Sequence, residues 1–265
     1  MGIKLSRVTL TYIFQTTLNQ VSTTTQPTTL IETQTILRCN FTSTNLSQSC
    51  VYLRIEGPET TIFEDFIVSG PRSITTASGG THICDGTNLN ANPTPGGTLT
   101  TAMDQAAQDL GFTYDGTYSS EFEDYFIQSI AGVTQTLTQF WGILSNYQFT
   151  PTGGCQFQAQ RGDVVLWAFD AFNAVAFLHA SSSPTISYPD TSSYPITVIV
   201  GTPHTLYVLD GSTNSPIAGA LIANQITNAS GMVVITPTVP GTYSYKATKS
   251  GTIRSNYVTL VVVPT

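Results

Sequence analysis

A single stretch of this chain, residues 98–110, repeats its apolar side chains with the period of a helix. The apolar positions fall at i, i+3, i+4, i+7, i+8 and i+11, which places them in one stripe along the helix. They are Leu99, Ala102, Met103, Ala106, Ala107 and Leu110. Thr98 is suited to cap the start, and Gly111 is suited to end the helix in a left-handed conformation. The rest of the chain is therefore expected to fold mainly as strands, with one face of this helix packed on a sheet.

The segments on either side of the helix are typical of strands, since they alternate apolar and polar residues between turns that contain Gly or Pro. These segments are 51–56, 61–68, 121–132, 140–149 and 162–172. Two strands, a helix and further strands predict a small α+β unit in which one helix crosses a mixed sheet.

From Tyr194 onwards the pattern changes to short strand-like segments separated by turns, with no helical segment between them. This pattern is typical of an immunoglobulin-like β-sandwich. Four parts are predicted: a Thr- and Gln-rich low-complexity segment, an α+β domain, a Ser/Pro linker and an Ig-like β-sandwich domain. Their bounds are 1–50, 51–180, 181–194 and 195–265. The predicted fold class is mainly β with one α-helix.

The charge of the chain excludes several classes of partner. Charged residues make up 9% of the 265 residues, and the net charge is −7. Nucleic-acid binding needs clustered Lys and Arg to neutralise phosphates, whereas the nine basic residues are scattered singly. No nucleic-acid partner is expected, and an anionic membrane surface is disfavoured for the same reason. No stretch approaches the roughly 20 apolar residues of a membrane span, so none is predicted.

Four cysteines, an even number, favour two disulfides in an extracellular protein, and three connectivities are possible. The cysteines are Cys39, Cys50, Cys84 and Cys155. No pair has the CxxC spacing of zinc ribbons or thioredoxin-like motifs. The sequence is therefore more consistent with an oxidising compartment than with a redox or zinc function.

Several sequence features indicate that the chain is secreted and glycosylated. Asn40, Asn45 and Asn228 each begin an N-glycosylation sequon. Lys4 and Arg7 precede a short apolar patch, as in a secretory signal peptide, although threonines and glutamines interrupt that patch. We expect a secreted glycoprotein, located outside the cell or in the cell wall.

The segment 78–97 is rich in Gly, Asn and Pro and has three interpretations. In the first, oxygen-bearing side chains bind calcium, which takes six to eight such ligands. The candidates are Asp85, Asn88, Asn90 and Asn92. In the second, His82 and Cys84 bind a soft metal. In the third, which we favour, Cys84 bonds to Cys155, the segment is a strap over the sheet, and Cys39 pairs locally with Cys50. No metal or other cofactor is then expected.

Two candidate catalytic arrangements are weak. On a strand, Glu121 and Glu123 would share one face about 7 Å apart, a separation that glycosidase carboxylates use. The same alternation would direct Phe122 to the core and make the two glutamates an ordinary solvated face. No G-x-S-x-G nucleophile motif occurs. The three histidines lie in unrelated contexts: His82, His179 and His204. His179 is expected at a sheet edge, and we predict that the protein is not an enzyme.

Aromatic residues are concentrated in the middle of the chain, where an exposed group could stack on sugar rings. Four of them are Trp141, Trp167, Phe169 and Phe172. Alternation places Trp167 and Phe169 on one face, most simply the core face. The tyrosines beside turns are better candidates for an exposed ligand-binding patch, and they are Tyr114, Tyr118 and Tyr147.

Four short motifs stand out in the middle segment, and they are Met103-Asp104-Gln105-Ala106, Ile130-Ala131-Gly132, Trp141 to Asn146, and Gly162-Asp163. Through these motifs the segment resembles the transcobalamin C-terminal-like domain, a β-grasp-related module. Residues 53–178 also resemble secreted fungal proteins through "RIEG", the motif beginning "SGGTH" and "LWAFDAFN". The last 70 residues are similar to bacterial Ig-like or carboxypeptidase-regulatory-like repeats. The resemblance implies a β-grasp-like domain followed by a sandwich.

What the resemblance implies for function is limited. Cobalamin carriers hold the vitamin between this module and a helical barrel, and this chain has no segment for such a barrel. We therefore expect a non-catalytic secreted or cell-wall-associated surface protein with a binding, adhesive or structural role. Its partners would be cell-wall polysaccharide or surface proteins. One alternative is a small-ligand or carbohydrate pocket between helix 98–110 and the sheet. An extracellular hydrolase is the third possibility.

Overall fold

The computed structural model describes residues 47–188, 192 and 194–265. What we call the first unit contains ten strands and one α-helix. In chain order these eleven elements are β1 (Ser49–Glu56), β2 (Thr61–Ser69), β3 (Arg72–Thr76), β4 (Gly80–Cys84), α1 (Leu99–Leu110), β5 (Tyr114–Ser119), β6 (Asp124–Ile130), β7 (Val133–Thr134), β8 (Trp141–Ser145), β9 (Gln148–Phe149) and β10 (Val164–Phe169). The second unit follows as β11 (Leu178–Ser181), β12 (Ile196–Ile199), β13 (His204–Asp210), β14 (Leu221–Ile222), β15 (Gln225–Ile226), β16 (Met232–Ile235), β17 (Gly241–Lys246) and β18 (Tyr257–Val263).

The main sheet of the first unit has the order β2-β1-β10-β8-β9. Its first and last long strands, β1 and β10, lie parallel at the centre, and their outer neighbours are antiparallel to them. Helix α1 packs on one face of this sheet. A parallel central pair with one helix across it is the arrangement expected of a β-grasp-like domain, so the predicted fold class, mainly β with one described helix, is confirmed.

Helix α1 has the predicted ends. The Thr98 hydroxyl accepts a hydrogen bond from the Thr101 backbone N–H, and the Thr101 hydroxyl accepts one from the Thr98 backbone N–H. Gly111 is left-handed, at φ 74°, and donates to the Ala107 carbonyl. The stripe is buried except for Leu110, which is 59% exposed. Among the described residues, no helix has the length and apolar character needed to cross a membrane.

Three predicted strands are shorter in the structure because left-handed residues interrupt them. Glu123, at φ 46°, ends a turn that precedes β6, so the strand expected over 121–132 begins at Asp124. Asn146 and Tyr147 are left-handed and divide 140–149 into β8 and β9. Asp170, at φ 61°, ends β10 before the predicted limit of 172. Apolar alternation does not reveal such turns when no Gly or Pro marks them.

The second unit is a sandwich of two three-stranded sheets, β11-β13-β16 and β12-β18-β17. Strand β12 runs parallel to β18, and the other pairs in these two sheets are antiparallel. Its core includes Leu178, Leu206, Val208, Val258 and Leu260, all with no exposed surface. Strand β11 lies at the end of the predicted α+β part, 51–180, and reaches the first residue of the expected linker, but it pairs with β13 and so belongs to the sandwich.

The second unit covers the face of the main sheet that lies opposite α1. All eight residues of β1 are buried, including the charged Arg54 and Glu56. An apolar cluster on this face contains Leu144, Tyr147 and Leu166, and it also includes Phe177 from the connection to the second unit. We call the contact between this face and the second unit the seam.

Candidate functional site at the seam between the two units

The predicted strap is present. Cys84 and Cys155 form a disulfide whose Cα atoms lie 4.6 Å apart, and both residues are buried. The segment after Cys84, residues 85–97, is further held by the Gln158 amide, which donates to two of its carbonyl oxygens at 2.6 and 3.2 Å. The Gly- and Asn-rich segment is thus fixed against the chain near Cys155 by one covalent bond and several hydrogen bonds.

The oxygen-bearing side chains of the strap tie backbone groups together. Asn88 Nδ2 donates to two carbonyl oxygens at 2.8 Å, and Asn92 Nδ2 does so at 2.7 and 2.8 Å. The Asp85 carboxylate accepts from the Thr87 backbone and hydroxyl, and Asn90 is exposed. Within the described ranges, no three His, Cys, Asp or Glu side chains are grouped as a metal site requires. Asp85, Asn88 and Asn92 therefore act as structural ties within the strap.

The other predicted modification sites are only partly described. Cys50 is disulfide-bonded, while its predicted partner Cys39 lies outside the described residues, as do the sequon residues Asn40 and Asn45. Asn228 lies exposed in a turn, where its Oδ1 accepts from two backbone N–H groups at 2.9 and 3.0 Å. The third sequon is therefore on the surface.

The glutamate pair expected on one strand face is not arranged in that way. Glu121 and Glu123 belong to a turn, and Glu123 Oε2 accepts a hydrogen bond from the Leu89 backbone at 2.6 Å. Phe122, expected in the core, is 59% exposed. The reason is that the left-handed Glu123 breaks the alternation on which the prediction depended.

Asp124, which begins β6, is a buried acid that stabilises the chain around the disulfide. Its Oδ2 accepts from the Cys155 backbone at 2.9 Å, and its Oδ1 accepts from the Tyr125 backbone at 2.7 Å. Burial raises the pKa of Asp124 to about 6, and these backbone hydrogen bonds oppose that rise only in part.

The three tyrosines expected to form an exposed patch do not do so. Tyr114 is half-buried and donates to Asp104 at 2.8 Å; burial, with this hydrogen bond, raises the pKa of Tyr114. The Tyr118 ring stacks on His82 at 3.5 Å between centroids, and Tyr147 is buried at the seam. The left-handed turn at Tyr147 directs this ring inward, towards the second unit.

Tyr147 is the centre of the apolar part of the seam. Its hydroxyl lies 3.1 Å from His179 Nδ1, and its carbonyl accepts from the Ser212 hydroxyl at 2.9 Å. Any side chain at Gly211 would collide with the ring, since a Cβ there would lie 2.2 Å from it. His179 is on the edge strand β11, as expected, but it is buried beneath the first unit.

The polar part of the seam is a group of five charged residues that we call the charge cluster: Arg54, Glu56, Glu64, Lys246 and Arg254. Glu56, 1% exposed, accepts from Lys246 Nζ at 2.7 Å and from Arg254 Nη2 at 2.7 Å. Glu64 accepts from the same lysine at 2.6 Å. Acids of the first unit are thus paired with cations of the second, which gives the two units complementary charge.

Burial changes the acidity of the groups in the seam. Burial, with the nearby charge of Glu64 and a hydrogen bond to it, raises the pKa of Tyr52 well above its usual range. Burial lowers the pKa of Lys246, and the two glutamates offset that effect only in part. Tyr52 therefore remains a hydrogen-bond donor to Glu64, at 2.8 Å.

One side of the charge cluster opens into what we call the tyrosine groove, of about 400 Å³. Its lining combines aromatic, acidic and hydroxyl side chains, including Tyr52, Glu64, Asp65, Ser244, Tyr257 and Thr259. The Tyr257 ring is 40% exposed, and Lys246 Nζ lies 4.4 Å from its centroid. The hydroxyls of Ser244 and Thr259 lie 3.1 Å apart. The groove thus places a supported aromatic ring beside polar groups.

A second depression, the polar cleft, is bounded by both units and has a volume of about 240 Å³. It is lined by Gln139, Asp170, Asn173 and Arg254, among others. The amides of Gln139 and Asn173 donate to the Asp170 carboxylate at 2.9 and 2.5 Å. Arg254 is occupied by Glu56 and by two carbonyl oxygens.

Part of the exposed aromatic surface is formed by Phe149, which the sequence did not single out, and by Phe172, which it named among the aromatic residues of the middle segment. Phe149 and Phe172 stack at 4.9 Å between centroids and are 43% and 62% exposed. Trp141, Trp167 and Phe169 belong to the core beside α1, as alternation predicted for the last two. Phe172 differs because β10 ends at Phe169 and the chain turns before reaching it.

Alternation alone did not identify the charge cluster. The alternation of residues 51–56 predicted a strand, but it gave no sign that the second unit covers Arg54 and Glu56 on the polar face of that strand. A usable signal was present, because two charges on one strand face are unusual in a chain that has only 9% charged residues.

Helix α1 leaves no room for the ligand pocket considered between it and the sheet. Leu99, Ala102, Met103 and Ala106 have no exposed surface, and the Trp167 indole donates to the Leu99 carbonyl at 3.3 Å. The grooves at the seam are therefore better candidates for a ligand than the helix–sheet interface.

The solved structures that match this chain resemble it only weakly, at low identity and low TM-score. No protein-family model matches the chain, and no curated protein matches it. Solved structures that match include haptocorrin in complex with Cbi, at 13% identity and a TM-score of 0.31, covering 46% of this chain and 25% of that one. A candidate metal-binding protein from Ruminococcus gnavus matches at 11% identity and a TM-score of 0.27, covering 46% of this chain and 95% of that one. This chain therefore spans about a quarter of the haptocorrin chain.

Proposed function

We propose that this protein is a secreted, non-catalytic binding protein whose tyrosine groove takes a carbohydrate chain of a cell wall or cell surface. The observation that carries the proposal is the Tyr257 ring, which is partly exposed, is supported on one side by Lys246, and lies in a groove with Ser244 and Thr259.

This combination suits a sugar. The C–H face of a pyranose packs on an aromatic ring, while its hydroxyls exchange hydrogen bonds with nearby polar side chains. Tyr257 and Thr259 are two residues apart on β18 and so lie on the same face of the sheet, and Ser244 lies opposite Thr259 on β17. Because these residues are on paired strands, their spacing is fixed before a ligand binds, which lowers the entropic cost of binding.

The secreted location is supported by the covalent structure. A buried disulfide such as Cys84–Cys155 persists in oxidising compartments and is rare in the cytosol. The exposed sequon at Asn228 is compatible with glycosylation on that route. Both features belong to the cell exterior or the cell wall.

The non-catalytic role is supported by the state of the acids at the seam. Glu56 and Glu64 are each bound to Lys246, and an acid held in this way is poorly suited to exchange protons with a substrate. The Glu121 and Glu123 pair, the other candidate, lies in a turn away from the groove.

The proposal is tested by retention on insoluble polysaccharide. We expect the protein to be retained on chitin or on β-glucan, and the Tyr257→Ala variant to bind about tenfold more weakly, equivalent to about 1.4 kcal/mol. Phe122→Ala is the matched control, because it removes an exposed ring far from the groove and should bind like the parent protein. A parent protein that neither matrix retains, or equal retention of all three proteins, would contradict the proposal.

The polar cleft provides a second candidate, a small-ligand site. Its carboxylate, Asp170, has amide partners but no salt bridge within the described residues, so the cleft offers an acidic hydrogen-bond acceptor beside amide groups. A small hydroxyl- or amine-bearing ligand would fit that chemistry. Chemical-shift changes at Asp170 and Asn173 on adding glucosamine, with none at Tyr257, would favour the cleft over the tyrosine groove.

A further inference from the structure

Arg54 is the most unusual residue of the seam. Its side chain is fully buried, and Nε, Nη1 and Nη2 all lack a hydrogen-bond acceptor. Its contact with Glu56 Oε1, at 3.5 Å from Nε, is a charge pair without hydrogen-bond geometry. A guanidinium has five N–H donors, and leaving them unsatisfied in the interior is costly.

No member of the charge cluster accepts a hydrogen bond from Arg54, because the two cations of the second unit are themselves donors and the two glutamates are bonded to those cations instead. Lys246 donates to Glu56, Glu64 and the Thr61 hydroxyl, which uses all three of its protons. Arg254 binds Glu56 through Nε and Nη2. Both glutamates therefore already accept strong hydrogen bonds from cations of the second unit.

The charge cluster also has a surplus of positive charge. It contains three cations and two anions, so one positive charge is not balanced within the cluster. The side chains that act most strongly on Arg54 are Tyr147, Glu56, Glu64 and Tyr52. Burial works against the charged form, yet these neighbours hold the pKa of Arg54 above its usual value. The guanidinium therefore remains charged in the interior.

From the unused donors and the surplus charge, we infer that Arg54 binds a small inorganic anion of chloride size within the seam. An anion would accept hydrogen bonds from several of the unused N–H groups and would also neutralise the one positive charge that the cluster has in excess. A water molecule would accept hydrogen bonds but would leave that charge unbalanced. The Tyr147 ring, whose centroid lies 5.6 Å from the guanidinium, covers one face and leaves the N–H edges to the anion.

Chloride dependence of stability tests the inference. Chloride is raised from 1 to 100 mM at constant ionic strength with gluconate, and the melting temperature is followed. A ligand that binds only the folded state stabilises it by mass action, so we expect the midpoint to rise by about 3 °C.

Two variants separate a specific site from general screening. Arg54→Met fills a similar volume and leaves two cations with two anions, so it should fold and should lose the chloride response. Lys249→Gln removes one positive charge from an exposed position and should keep the full response. Equal chloride responses in Arg54→Met and the parent protein would overturn the inference, and so would no response in the parent.

A direct structural measurement decides the nature of the bound group. In crystals of the full chain grown with bromide, we expect an anomalous peak within hydrogen-bonding distance of the Arg54 guanidinium. Ordered water around Arg54 with no bromide peak would overturn the inference. Because neither experiment involves carbohydrate, its failure is distinguishable from failure of the proposed binding function.

Discussion

Single residues decide what the seam can do, and they were the hardest to predict from sequence. Alternation correctly predicted a strand over residues 51–56, but it did not indicate that Arg54 and Glu56 on this strand are buried. Whether a polar strand face meets water or another unit depends on contacts distant in the sequence, and local periodicity carries no information about them. Lys246, almost two hundred residues from Glu56, is the clearest case.

Replacing Lys246 with Met should destabilise the protein by about 3 kcal/mol, because Glu64 would be left buried without its cation. Urea unfolding of the Lys246→Met variant measures this loss. Lys249→Met, which changes an exposed lysine close by in sequence, serves as the control and should alter stability by less than about 1 kcal/mol. Equal stabilities of the two variants would show that the buried pairs do not stabilise the seam.

Asp124 should give the folded protein an unusual pH dependence. Its folded pKa of about 6 lies above the ordinary value of 3.8, so the folded state binds the proton more tightly. The stabilising effect of this group is therefore complete below about pH 4 and is lost as the pH rises towards 6, by about 3 kcal/mol.

The measurement is the free energy of unfolding between pH 3.5 and 7 for the parent protein and for Asp124→Asn. The variant does not titrate at this position, and its amide faces the Cys155 N–H, so it should be less stable throughout but lack this decline. Parallel pH profiles for the two proteins would contradict the assignment, as would a carboxyl titration midpoint near 4 for Asp124 by NMR.

At the scale of elements, the sequence predicted what local patterns determine. Helix α1 was placed within one residue, with Thr98 and Gly111 as its ends, because periodicity and capping act within a few residues. The strands were correct in kind but too long where Glu123, Asn146 and Asp170 adopt left-handed backbones. Asn146 and Asp170 are residue types that tolerate this conformation, whereas Glu123 is held in it by the surrounding fold, so residue type gave only part of the signal.

The strap should make a large contribution to stability through its disulfide. Cys84 and Cys155 are separated by 71 residues, and closing a loop of that size stabilises the fold by about 4 kcal/mol in the chain-entropy model. Cys84→Ser and Cys155→Ser should each lose about this amount in urea unfolding, and the double variant should lose no more than either single variant. Additive losses would show that the two residues act separately.

At the scale of the whole molecule, the sequence predicted two β-rich parts but not how they meet. The seam joins β1, β2 and the Tyr147 turn of the first unit to β11, β17 and the segment before β18. Both the tyrosine groove and the anion site are made of residues from these two sides, or depend on them. The sequence could not indicate that arrangement, because no motif spans the two units.

The central claim is that the seam makes the two units one cooperative body, and differential scanning calorimetry tests it most directly. We expect the parent protein to unfold in a single transition whose calorimetric and van't Hoff enthalpies agree. Two separate transitions, with the second unit melting independently of the first, would contradict the claim and remove the structural basis for both sites at the seam.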